Sequence, residues 1–533
     1  MLQEIVKNRW LGFLIWQSIC CTPTFLFYKT LLLSPLFSLL SLFSFLSFHL
    51  ALLLFSLSLF LISSPHSDPS ASVSDLTVGL LRFFLRSVVA GGSPDFSTVD
   101  FRRRAKKSLG LLLFMVGCVF AGSLSAVSFC RESDLFDGAG LIGLCVRGIV
   151  FGAVYGFHYV YKKRWVLVFP IIQRPLFFSF KMGLPSSLRQ SLKLSSSAFL
   201  LSTMLMVLLP VQLKSKSTIL QFIAQQINFY LGTCVISFCW ELSRHLLQVL
   251  HTRRCIFAPP QGSAAAETNP SEPLLEALEQ SSPRSLYQYL AYLDLCMVSE
   301  SNVDAWRRAA FFEETGETYR RVMSLSLRPL EQLTSRLSEG LEGSSAGKSD
   351  LLSQQLLPPT DTLVDSRLYE AFNDIQLCAW CARTVTALTV CSHSEDRFGV
   401  AQLTGCNAAV VSTLLSCLLA VEACLGKKTN PQPSHLMVPA NIRFAPVNMG
   451  RKDGATAVVG KKRGGALHGK AYTMADVLRT SVYGIISVFH DEMQGNVKAA
   501  NLEKDWIIRS KPLYGTREIL VQKLSLFLDF RAC

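Results

Sequence analysis

Runs of about 20 apolar residues recur through the first half of this sequence, and basic residues punctuate the gaps between them. That length is what a helix needs to cross roughly 30 Å of hydrocarbon. Hydrocarbon offers no partner for a bare peptide group, so only elements that satisfy their own backbone can span it. The candidate spans are Trp10–Tyr28, a segment within Leu39–Ser63, Lys107–Cys130, Leu141–Tyr161, Ser197–Leu213 and Ile219–Trp240. The first follows Lys7 and Arg9 and lacks a small-residue cleavage site, so it reads as an uncleaved signal anchor. Leu31–Ser38, interrupted by Pro35, is expected at the lumenal interface, and the fifth span is the shortest and holds Pro210.

Charge sets the expected orientation. Met1–Leu250 holds 22 basic and 9 acidic residues, whereas His251–Cys533 holds 30 and 29. The positive excess therefore sits among the apolar runs, where anionic lipid and the topology rule retain it. Nucleic acid would call for a basic stripe with interleaved aromatics in the second half, and none is present. The gap after span two carries Arg82, Arg86, Arg102, Arg103, Arg104, Lys106 and Lys107. The gap after span four carries Lys162, Lys163, Arg164, Arg174, Lys181, Arg189 and Lys193 without one acid. The alternate gaps are poor in bases. Basic gaps on the cytosol and an even number of crossings predict that both termini are cytosolic. Two basic-apolar segments, Leu76–Val89 and Leu176–Leu192, have the composition of interfacial helices, with loop ends flanking spans as the plainer alternative.

Catalytic chemistry has little to stand on. There is no phosphate-cradling loop, dinucleotide fingerprint, zinc-protease motif or nucleophile elbow, and no cofactor is expected. His49 in span two has no carboxylate at its depth, and Arg147 lies where its stem reaches the lumenal headgroups. Cys378 and Cys381 share one helix face, so a buried apolar face is the expected reading over half a zinc site. A structural protein is thus favoured, with a polytopic endoplasmic-reticulum enzyme or carrier as the alternative.

The second half reads as a balanced helical domain, which makes the chain all-α: a transmembrane region over 1–250, a linker over 251–283, and a helical domain over 284–533. Flexible linkers are expected near 342–360 and 427–470. Leu286, Leu290, Leu293 and Met297 make one apolar stripe, as do Met474, Leu478, Val482, Ile485 and Phe489. Ala408–Leu425 is apolar enough for a seventh span, but it is short, carries Glu422 and precedes Lys427 and Lys428. A buried bundle helix is the preferred reading. Lys461–Arg463 with Lys470 reads as a solvated basic loop rather than an import signal.

Two motifs carry a resemblance. Phe169, Pro170, Ile171, Ile172 and Gln173 follow span four, and Glu395, Asp396, Arg397, Phe398 and Gly399 precede Val400. Both stretches, in this order and topological place, resemble the nuclear-division-cycle (Ndc) transmembrane nucleoporins, and the compact linkers resemble plant-type members. The resemblance implies a pore-membrane anchor in the nuclear envelope. It also implies docking of scaffold nucleoporins, such as the WD-repeat nucleoporin Aladin and inner-ring components, without direct nucleic-acid contact; homo-oligomerisation is a further expectation. Repeated Phe-Gly, the mark of barrier nucleoporins, is absent. In the second motif, Ser394 is expected to cap the following helix, Arg397 to find a carboxylate, and Phe398 to enter the core.

Overall fold

The computed structural model describes residues 2–31, 39–66, 96–130, 138–208, 219–260, 262–342, 368, 370–426, 466–498 and 502–531. Among these residues the structure is helical without a strand ladder; one isolated bridge joins Ser64 and Val166. The segment Leu76–Val89, Pro210, the interface segment Leu31–Ser38 apart from its first residue, and nearly all of both expected linkers lie outside the described residues. The chain divides into two compact units, one of Met1–Arg254 with Pro283–Tyr287, the other of Cys255–Ser282 with Gln288–Cys533.

The first unit is built from long apolar helices: α1 (Leu2–Leu31), α2 (Leu39–Ile62), α3 (Phe96–Cys130), α4 (Gly138–Tyr161), α5 (Leu176–Leu208) and α6 (Ile219–His251). All six are long and apolar enough to cross a membrane. The fifth differs from expectation. The segment Leu176–Leu192 and the following apolar run form one continuous helix that absorbs Pro185, rather than a flat helix and a separate span.

Lipid tails are as apolar as leucine, so burying leucine does not drive these helices together; close packing and buried polar contacts do. Gly148, Gly152 and Gly156 recur every fourth residue on α4 and let it lie against α3. A Cβ on Gly152 would stand 2.2 Å from the Cys118 carbonyl oxygen, and one on Gly148 would stand 2.7 Å from that of Gly122. Buried Gln17 donates to Ser243 Oγ at 2.8 Å and accepts from Ser56 Oγ at 2.7 Å, tying α1 to α6 and α2. Tyr28 donates to Asn228 Oδ1 at 2.6 Å, and Trp240 stacks on Phe55 with centroids 4.2 Å apart. Arg147 turns inward instead of reaching the headgroups: Nη1 donates to Gln226 Oε1 at 2.8 Å and the guanidinium lies 5.0 Å from the Phe229 ring centre. His49 meets Thr22 at 3.0 Å.

The second unit comprises α7 (Ala264–Thr268), α8 (Glu272–Gln280), α9 (Leu286–Glu300), α10 (Ala305–Ala309), α11 (Glu317–Glu342), α12 (Ile375–Glu395), α13 (Val400–Leu403), α14 (Cys406–Gly426), α15 (Ala466–Lys498), α16 (Leu502–Trp506) and α17 (Arg517–Arg531). Apolar α14 is the central helix, packed by α11, α12, α15, α16 and α17. Segments Phe372–Glu395 and Cys406–Gly426 are also long and apolar enough to span, yet a larger share of each is buried inside the protein than in any of α1–α6. Glu422 on α14 pairs with Arg479 at 2.9 Å and Lys523 at 2.8 Å. Cys378 and Cys381 are both buried.

Candidate membrane and partner surfaces

The connector from α4 to α5 holds the first motif. Tyr161 ends α4, and Lys163 adopts the left-handed region (φ 49°) to turn the chain. An extended run follows in which Trp165, Leu167 and Phe169 are buried while Val168 and Pro170 are exposed, the two-residue alternation of an extended strand. Ser64, past the end of α2, exchanges backbone hydrogen bonds with Trp165 (3.1 Å) and Leu167 (2.9 Å). Gln248 on α6 donates to the Val168 carbonyl. Gln173 donates to the Thr252 carbonyl at 3.4 Å and accepts from the Arg254 N–H at 3.3 Å.

Arg164 fixes the root of the connector. Its two terminal nitrogens donate to Glu241 Oε1 and Oε2 at 2.7 and 2.6 Å, and Arg244 Nε reaches the same carboxylate at 3.3 Å. Glu241 is fully buried, so the fork-on-fork arrangement supplies the neutralisation that water would otherwise give. Sequence reading left this pair unassigned, although Glu241 directly follows the sixth apolar run and Arg164 belongs to the basic gap.

Of the residues expected at the membrane surface, Lys106, Lys162 and Lys163 are exposed, whereas Arg164 is consumed by Glu241. Lys107 reaches the Ile62 carbonyl at 3.5 Å and lies 5.6 Å from the Trp165 ring centre. Arg102, Arg103 and Arg104 lie near the start of α3, with side chains outside the described set. Within the first motif, Phe169 is a core residue and Gln173 a tether, while Ile171 and Ile172 are 81% and 67% exposed.

The second motif forms the turn between α12 and α13. Glu395 accepts from Arg308 Nη2 at 2.5 Å and Nε at 2.9 Å, and Arg308 also donates to the Ser299 and Ser301 carbonyls at 3.2 Å. The Glu395 carboxylate raises the Arg308 pKa against the opposing effect of burial. Asp396 Oδ2 accepts from the Ala401 N–H at 2.8 Å, so Asp396 caps α13. The expected cap, Ser394, instead donates back to the Cys391 carbonyl. Gly399 takes a left-handed conformation (φ 66°) that swings Val400 and Ala401 into the core. Those two fill the positions expected for Phe398, which is 52% exposed beside exposed Arg397. Phe398→Ala is therefore expected to leave thermal stability within about 0.5 kcal/mol of the parent. Glu395→Ala, which strips the partner from buried Arg308, should lower the melting temperature of the same preparation measurably.

Among the described residues no group of three or more His, Cys, Asp or Glu side chains is placed to hold a metal ion. What the fold and these surfaces define is a polytopic, all-helical membrane protein carrying a second helical unit. Residues 141–363 match the family model described as Nucleoporin protein Ndc1-Nup. That match makes this stretch of the chain similar to the nucleoporins of the Ndc1 family. It spans α4 to the end of α11 and includes the first motif but not the second. No curated protein matches the chain.

Proposed function

We propose that this chain is a structural anchor of the nuclear pore complex, holding scaffold nucleoporins to the pore membrane and supporting pore assembly. The observation that carries the reading is the family match across residues 141–363, laid over a chain whose first unit is made of membrane-length helices. In this reading α1–α6 cross the bilayer and both termini lie on the cytosolic, pore-facing side. Helices α12 and α14 stay out of it, because α14 is enclosed by its neighbours and its Glu422 is held by two cations. The second unit offers docking surface, with Arg397 and Phe398 as contact residues on a rigid turn. The WD-repeat nucleoporin Aladin and inner-ring components are the partners the family resemblance supplies, and the short linkers fit a plant-type member. Catalysis has no part in it. Imaging a tagged copy tests the reading: a punctate nuclear rim is expected, and a purely reticular endoplasmic-reticulum pattern would refute it.

A further inference from the structure

The connector between α4 and α5 and the first two turns of α5 expose more apolar surface than a water-facing segment carries. Val168 (69%), Ile171 (81%), Ile172 (67%), Phe177 (67%), Phe178 (57%) and Met182 (63%) are all largely uncovered. Large contiguous apolar patches on a soluble surface mark an interaction site. This one is built rather than loose. Gln248 and Gln173 pin the extended run to α6 and the residues just after it, and the Arg164–Glu241 pair fixes its start. Lys162, Lys163, Arg174, Lys181, Arg189 and Lys193 along the same stretch are exposed, and residues 162–193 contain no acid.

We propose that this connector is a lipid-docking platform: Ile171, Ile172, Phe177 and Phe178 enter the interfacial layer of the leaflet next to α4 and α5, and the cations along the same stretch bind anionic lipid headgroups. Two observations select lipid over protein as the occupant. The patch is continuous with two membrane-length helices, ending α4 and beginning α5, so a bilayer surface is always within reach. Its charge is of one sign, which complements an anionic leaflet and matches the amphipathic composition of interfacial segments. The proposal rests on the anchor reading only in requiring that α4 and α5 be embedded.

Hydroxyl-radical footprinting of the full chain in lipid nanodiscs tests it. Discs of pure phosphatidylcholine are compared with discs containing phosphatidylserine. Labelling of Phe177, Phe178 and Met182 should fall several-fold in the phosphatidylserine discs, while exposed Leu403 in the second unit labels equally in both. The double variant Arg174→Glu, Lys181→Glu should abolish the difference. Equal labelling of the connector in both discs would overturn the proposal. So would protection that appears only on adding a soluble nucleoporin fraction, since that assigns the patch to a protein partner. A chain that shows the lipid-dependent protection yet stays out of the nuclear rim would refute the pore reading and leave this one standing.

Discussion

Replacing Arg307 with alanine is expected to unfold much of the second unit. Arg307 is 1% exposed and Asp294 is fully buried. Arg307 Nη2 donates to Asp294 Oδ2 at 2.8 Å and to the Phe257 carbonyl at 2.9 Å, and the Phe257 N–H donates to the same Asp294 oxygen at 2.9 Å. The ion pair thus grips the backbone of Phe257 on both its polar groups, three residues beyond the end of the first unit. Removing the guanidinium leaves a carboxylate in the interior and a peptide carbonyl without its donor. Breaking a buried pair in this way costs about 3–5 kcal/mol, a large share of the 5–15 kcal/mol that holds an ordinary domain together. A thermal melt and hydrogen exchange over α9 and α10 measure it. The paired change Asp294→Leu, Arg307→Met should recover most of the loss, because it removes both charges. A melting temperature unchanged by Arg307→Ala would show that the clamp contributes nothing.

Gly152→Leu is expected to separate α3 from α4. The contact is backbone on backbone, and the Cys118 carbonyl already occupies the space a Cβ needs. No rotamer relieves a clash with main chain, so the helices must move apart. Overpacking of this kind costs about 1–3 kcal/mol, and close approach is what drives helix association in lipid. Size-exclusion chromatography of heated protein in mild detergent should show aggregation at a lower temperature than in the parent. Gly110→Leu on the same helix as Cys118 is the control, since nothing lies within 4 Å of its Cβ position. Equal loss in both variants would make the effect one of composition and not of packing.

These two sites also show where sequence reading stopped. The apolar runs announce themselves because hydrocarbon length and backbone satisfaction leave one solution, and α1, α2, α4 and α6 each cover the run expected for them. The glycine spacing on α4 was legible too, but only the partner helix reveals that it is a packing face. Phe257 and Asp294 are 37 residues apart, and nothing in an Ala-, Pro- and Ser-rich stretch signals that one of its residues is clamped. Glu241 and Arg164 are likewise joined by tertiary structure across 77 residues. In the second motif the sequence points to a helix N-terminus capped by Ser394, whereas Asp396 takes that place and Ser394 bonds back to Cys391. A left-handed Gly399 exchanges which side chains face inward, so Val400 is buried and Phe398 is not. Amphipathic period alone cannot locate such a reversal. For α5, no breaker strong enough to split Leu176–Leu208 exists, because Pro185 is accommodated within the helix.

The proposed topology puts the basic gaps between the apolar helices, and both termini, on the cytosol. Glycosylation-acceptor insertion, one gap at a time in the full chain, reads it directly. Modification is expected for an acceptor placed within 131–137 and none for acceptors within 162–175, 255–262 or 427–465. Modification at 162–175, or at 427–465 beyond α14, would contradict the account.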